Sequence, residues 1–251
     1  MMDLPNNIFS RNGIPLVPFN ANGDVADKNW RLLLDRQQTS EDLRRIQAKY
    51  PGAGPILGAG NLRMIEFRNP FTYALFLRKY PEFRDTFTVK TSGGVLVFVM
   101  SENGVKATPS TGLGVRVYQN GPVQAFGLRD DGGFNVIESI GEDIVEYPHL
   151  IREVSGWIWE VEEKHPWLLW PCIRRLINKK QFNRGVINPI LNLIIHYDPE
   201  ADENLAVSFF EGWPSFDEAV VRKSFRDTKE RIDSGELQPP TCKYLRRSAG
   251  M

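Results

Sequence analysis

Apolar residues follow two different rhythms along this chain. Up to about residue 147 they come in short runs broken by glycine and proline, and beyond it they recur three and four positions apart. The first rhythm predicts strands. GIPLVPF (13–19) reads as a strand whose prolines suit a sheet edge. GPILGAG (54–60) and LRMIEF (62–67) read as a hairpin, as do FTVKT (87–91) and VLVFVM (95–100), joined by a Ser-Gly-Gly turn. The span 114–139 alternates apolar and polar residues around YQNG and RDDGG, which predicts a meander or a pair of hairpins. Two helical stretches interrupt the strands. Residues 29–50 form two pieces, the second capped by Thr39 or Ser40, and residues 69–83 have Asn69 as cap and Pro70 at the first helical position. The second rhythm predicts helices over 149–162, 166–179, 187–197 and 216–233, the last ended by Gly235 and by the prolines at 239 and 240. The expected class is therefore α+β: a mixed sheet with flanking helices over 1–147, then a smaller all-helical module over 148–251.

Composition narrows the setting. The 251 residues are 41% hydrophobic and 25% charged, as in an ordinary globular protein. Basic and acidic residues balance at 31 each, 16 against 16 before residue 150 and 15 against 15 after it, so a nucleic-acid surface has to be a local patch. Cys172 and Cys242 are too few and too distant in sequence for a disulfide framework or a zinc site, and reduced thiols are expected. No apolar run approaches the roughly 18 residues of a membrane span, and the N-terminal residues lack a signal-peptide pattern. A cytoplasmic location away from membranes follows as the expectation.

Candidate chemistry is sparse. Lys90, Thr91 and Ser92 precede the Gly-Gly turn, where backbone N–H groups and a hydroxyl can cradle a phosphate, although a plain hairpin turn explains them as well. RDDGG (129–133) offers Arg129 to a phosphate and Asp130 and Asp131 to a metal, or serves as an Asx-type turn. RRLINKKQFNR (174–184) carries Arg174, Arg175, Lys179, Lys180 and Arg184 with no acid, and its phenylalanine suits stacking on an unpaired base. KYLRR, with Lys243, Arg246 and Arg247, extends the same character. His149, His165 and His196 lack metal-ligand spacing, and Trp157, Trp159, Trp167 and Trp170 read as helical core. No G-x-x-x-x-G-K-[ST] loop occurs, which excludes a P-loop motor within this sequence.

Four stretches, GIPLVPFNANGDVADKNW, YPGAGPILGAGNLRMIEFRN, TVKTSGGVLVFV and AFGLRDDGGFNVI, stand in an order that resembles the archaeo-eukaryotic-type primase–polymerase domain of plasmid, phage and archaeal replication proteins. The resemblance covers residues 13–139, and the helical second half resembles the region that follows such domains in some plasmid and archaeal primases. It implies nucleotidyl transfer with Mg²⁺ or Mn²⁺ held by two carboxylates two residues apart and a third on a neighbouring strand, beside a phosphate-contacting histidine. Here those places align with Glu66 and Arg68, with Gly127, and with Leu96. One carboxylate does not hold a pair of divalent ions. The resemblance thus implies a replication-associated protein that binds single-stranded DNA or a primer–template, or serves other replication proteins, with no cofactor. Two alternatives stay open. One is an active primase–polymerase with Glu66, Asp130 and Asp131 around Mg²⁺ or Mn²⁺ and Arg68 or Lys90 on the triphosphate. The other is a structural interaction protein that binds no nucleic acid.

Overall fold

The computed structural model describes residues 7–91, 93–102, 112–127, 136–141, 143–179 and 182–248. In chain order the elements are α1 (Ile8–Arg11), β1 (Leu16–Phe19), α2 (Ser40–Lys49), β2 (Gly52–Leu57), β3 (Leu62–Phe67), α3 (Pro70–Lys79), β4 (Thr88–Thr91), β5 (Gly94–Met100) and β6 (Val115–Tyr118). They continue with β7 (Gly121–Pro122), β8 (Phe126–Gly127), β9 (Val136–Ile140), α4 (Leu150–Lys164), α5 (Pro171–Lys179), α6 (Arg184–Tyr197), α7 (Glu203–Phe210), α8 (Glu218–Asp233) and α9 (Cys242–Ser248). The class is α+β. The chain forms two compact units that interleave in sequence: Met1–Arg68, Tyr80–Pro109 and Val115–Ser155 make the first, and Asn69–Lys79, Ser110–Gly114 and Gly156–Met251 the second.

Local signals explain most element boundaries. Thr39 and Asp42 form a reciprocal capping box at the start of α2, which satisfies two otherwise unpaired N–H groups. The Asn69 side chain accepts the Phe71 N–H at 3.0 Å to start α3. Asn183, Asp202 and Asp217 do the same for α6, α7 and α8.

The first unit holds two sheets. One has the order β1-β2-β7, with β8 also paired to β2, and the other has the order β6-β3-β5-β4-β9. Every strand pairing described is antiparallel. The expectation of a mixed sheet is corrected accordingly: among the described residues parallel pairing occurs only at isolated bridges, Thr86 with Asp143 and Met100 with Glu146. Two finer expectations also change. β2 and β3 do not form a hairpin, because Gly58 (φ 96), Gly60 (φ 53) and Asn61 (φ 63) turn the chain out of one sheet and into the other. The strands after 114 form no meander, since β6 adds to β3, β7 and β8 add to β2, and β9 adds to β4. β1 lies at an edge, as its prolines predict, and there the Gln38 amide bonds both the N–H and the C=O of Leu16 at 2.7 Å.

Phe9 centres the core of this unit, edge-on to Phe87 at 5.2 Å and Phe98 at 5.0 Å, with Leu62, Met64, Val89 and Leu96 in the same cluster. In the second unit α6 buries nine residues between Val186 and Ile195, and an aromatic chain runs through Phe71, Trp167, Phe209, Phe210 and Trp213. Trp157 and Trp167 are core, as expected, but Trp159 is 67% exposed. Two residues on from Trp157 in α4, it stands about 200° round the helix, on the outer face.

Cys172 and Cys242, expected as reduced thiols, form a disulfide with their Cα atoms 6.0 Å apart. A separation of 70 residues is no obstacle once α5 and α9 pack side by side. Among the described residues no helix is long and apolar enough to cross a membrane.

Candidate functional site

Glu66 stands on β3 directly opposite Leu96 of β5 on one side and Arg116 of β6 on the other. Its two carboxylate oxygens are engaged separately. Oε1 accepts the Arg68 Nε–H at 2.9 Å, and Oε2 accepts the Tyr118 hydroxyl at 2.8 Å. Burial and the bond to Glu66 push the Tyr118 hydroxyl above its usual pKa. The neighbouring Tyr118 first, and the Glu66 charge to a lesser degree, hold the Arg116 guanidinium above the ordinary range. One carboxylate therefore sits between two guanidiniums and a phenol, and this neighbourhood attracts an anion sooner than a divalent cation. Arg116 and Tyr118 escaped the sequence reading because their relation to Glu66 exists only in the cross-strand register.

Residues 66 and 96, two of the places singled out by the resemblance, are thus brought face to face. Residue 127 is not: Gly127 pairs with Gly52 in the other sheet. Leu96 is 5% exposed and packs in the Phe9 core. The hairpin beside it matches the expected turn. The Thr91 hydroxyl accepts the Gly93 N–H at 3.2 Å and donates to the Gly94 carbonyl at 3.1 Å, so its hydrogen-bonding capacity is used inside the turn. Gly94 has φ 145, and a Cβ there would run into the Phe67 carbonyl oxygen. Lys90 pairs in register with Glu138 and Val95, one residue away from the row that holds Leu96 and Glu66, and so belongs to the opposite face of the sheet. Ser92, Arg129, Asp130 and Asp131 lie outside the described residues.

The basic segments come together in the second unit. The Cys172–Cys242 bond joins α5, which carries exposed Arg174 and Arg175, to α9, which carries exposed Lys243 and Arg247. Arg184 is exposed at the first turn of α6. Among the described residues none of these five cations has a carboxylate partner. The placement of Lys180, and of the Lys179 and Arg246 side chains, lies outside the description. Phe182, expected as a stacking aromatic, packs instead on Phe210 at 5.9 Å and Phe216 at 5.8 Å. Tyr244 of α9, 56% exposed, is the aromatic that the sequence reading missed.

The histidines are dispersed. His149 lies 3.8 Å from Glu102, His196 Nδ1 contacts the Asn192 carbonyl at 3.1 Å, and His165 is buried. Among the described residues no three His, Cys, Asp or Glu side chains gather as a metal site. A cavity of 770 Å³ in the first unit, walled by Ile14, Pro15, Leu43, Leu57, Gly58 and Asn120, includes none of the candidate catalytic, phosphate-binding or metal-binding residues. Comparison of the chain with protein-family models and with curated proteins finds no match.

Proposed function

We propose that this chain is a replication-associated, nucleic-acid-binding protein with a primase–polymerase-like fold in which catalysis has lapsed and binding persists. The observation that carries the reading is the joined pair α5–α9, where Arg174, Arg175, Lys243 and Arg247 stand exposed without carboxylate partners among the described residues and α9 also exposes the ring of Tyr244. Cations held on neighbouring short helices displace the counterions of a phosphate backbone, and an exposed aromatic gives an unpaired base a surface to stack on. The partner that fits is single-stranded DNA or the single-stranded part of a primer–template.

The state of Glu66 supports the lapse of catalysis. To take part in holding Mg²⁺ or Mn²⁺ it has to surrender Arg68 or Tyr118, and the arginines flanking it oppose the arrival of a second cation. The glycine hairpin and the direct facing of residues 66 and 96 support the fold assignment.

The test is single-strand binding across a salt series, with nucleotide incorporation measured in the same samples in Mg²⁺ and in Mn²⁺. Four phosphate contacts predict a slope of log K against log salt of about −3 for a single strand. Incorporation is expected to be absent. A flat salt response overturns the binding assignment, and incorporation abolished by Glu66→Ala overturns the lapse of catalysis.

A further inference from the structure

Pro239 and Pro240, which the sequence marks only as a helix stop, help to enclose a cavity of 420 Å³ in the second unit. Pro189 and Leu237 complete its apolar wall, and the ring of Tyr244, 56% exposed, stands at its mouth. The volume falls in the range of roughly 300–1,000 Å³ typical of small-molecule sites. Proline fixes φ, so this wall is set before anything binds. Asn192 of α6 lines the floor and is 6% exposed. Its Nδ2 donates to the Gln238 carbonyl at 3.0 Å, which fixes the orientation of the amide. Its Oδ1 is left buried and without a partner among the described residues. An unpaired buried acceptor is costly, and a ligand N–H that reaches it recovers that cost. Arg231, paired with Glu236 at 3.2 Å, is the one charged side chain among the described residues that line the cavity. The occupant that fits is a flat, largely uncharged ring that carries N–H donors.

α9 connects this cavity to the cationic surface. Lys243 and Arg247, four residues apart, share one side of the helix, and Tyr244 is turned about 100° from Lys243. A strand whose phosphates lie on Lys243 and Arg247 therefore passes beside the mouth. A neighbouring cavity of 490 Å³ shares Asn188, Thr228 and Arg231 with this one, but Asp227 and Glu230 line it too and repel a phosphate. The backbone thus keeps to the α9 side, and only a base enters.

We propose that this cavity takes one unpaired base of the bound single strand, stacked on Tyr244, with the exocyclic amino group of the base donating to Asn192 Oδ1. The inference rests on the binding reading given above. Cytosine and adenine present such an amino group. Thymine has a carbonyl oxygen where cytosine has the amino group, and an acceptor at Oδ1 repels it. Phosphate contacts carry no sequence information, so the cavity is what gives this surface a preference among bases.

The experiment measures binding of fluorescent single strands of equal length to the full chain across a salt series. The strands are oligo-dC, oligo-dT and an abasic strand with the same phosphates, and free dCMP serves as competitor. Oligo-dC is expected to bind about tenfold more tightly than the abasic strand, and more tightly than oligo-dT, with one common salt slope because the phosphate contacts are shared. Tyr244→Ala is expected to cost about tenfold on oligo-dC and nothing on the abasic strand, and Tyr244→Phe, which keeps the ring, to bind as the wild type does. Asn192→Leu is expected to abolish the preference for dC over dT without changing the salt slope. Circular dichroism verifies that each variant is folded. Free dCMP, which lacks the contacts on α9, is expected to compete only at far higher concentration than the strand. Equal affinity of the wild type for oligo-dC and the abasic strand, with a steep salt dependence, overturns the base site and leaves the binding assignment standing. A preference for dC that survives Asn192→Leu overturns the role of Asn192. Competition by dCMP at the concentration of the strand itself assigns the cavity to a free nucleotide and overturns its use by the strand. Protein that binds none of the strands overturns both the base site and the binding assignment.

Discussion

His165 gives a test of the second unit that needs no ligand. It is 1% exposed, stands edge-on to Phe71 at 6.0 Å and Trp167 at 6.3 Å, and its Nδ1 has no hydrogen-bond partner among the described residues. The charges that face it are Asp198, which favours the imidazolium, and Lys164 and Arg78, which oppose it. Burial, reinforced by Lys164 and Arg78, outweighs Asp198, and the folded-state pKa falls from 6.5 to about 4. The unfolded chain therefore binds a proton at a pH where the folded chain does not. Stability is full above the unfolded value of 6.5, declines as pH falls through the window, and levels off below about 4. A difference of about 2.5 in pKa corresponds to about 3 kcal/mol over the whole window, of which about 2 kcal/mol is lost by about pH 5.

His165→Phe keeps a ring among Phe71 and Trp167 and removes the titration. Urea unfolding of both proteins near pH 7.5, 6 and 5 reads the difference, and carboxylates that titrate at the lower end contribute equally to both and cancel. The wild type is expected to lose about 2 kcal/mol more than the variant between the extremes. Parallel pH dependences refute the reasoning. Greater relative stability of the wild type at low pH also refutes it, because it means that His165 is an imidazolium paired with Asp198, the opposite sign of linkage.

Asp198, 1% exposed, binds Arg78 at 2.8 Å and Lys164 at 3.2 Å. Because both cations are about half-exposed and can turn to water, Asp198→Asn is expected to cost about 2 kcal/mol in urea unfolding rather than the larger cost of stranding a buried charge. Replacing both cysteines by alanine is expected to lower stability by up to about 4 kcal/mol, the loop-closure term for a separation of 70 residues, and a loss above that points to disrupted packing instead. Leu96→His sets an imidazole among Met64, Val89 and Phe98, with an expected cost of about 2 kcal/mol in denaturation and no gain of nucleotide incorporation. Glu66→Gln removes the charge that neutralises Arg68 and Arg116, and a measurable gain in single-strand affinity is expected at low salt and none at high salt.

Much of the framework was legible because its causes are local. The Thr39–Asp42 capping box, the Asn69-Pro70 helix start, the Gly-Gly hairpin and the prolines of β1 each act within a few residues. What escaped depends on pairing across the chain. The alternation after residue 114 shows that strands exist, but nothing in it says that β6 seeks β3 while β7 and β8 seek β2. The disulfide escaped for the same reason, since 70 residues of sequence hide two helices that lie side by side. The aromatic expected on the nucleic-acid surface, Phe182, is half-buried against Phe210 and Phe216 instead. Tyr244, with a polar end, stayed at the surface.

The neighbourhood of Glu66 joins these points. A sheet that holds divalent ions keeps its carboxylates unneutralised, because the metals supply the compensating charge. Without metals, a lone carboxylate 14% exposed on a strand needs compensation from the protein, and Arg68, just past the end of β3, provides it as an ion pair while Arg116 stands directly across on β6. On the proposed reading, a phosphate-contacting histidine loses its purpose at the same time. A leucine at residue 96 extends the Phe9 core across the middle of the sheet instead. On the proposed reading these are one change rather than two: the groups that faced substrate have become partners of each other and of the core. The hairpin itself is fixed from the other side of the sheet, because Gly94 passes the Phe67 carbonyl and Val95, Val97 and Val99 are buried.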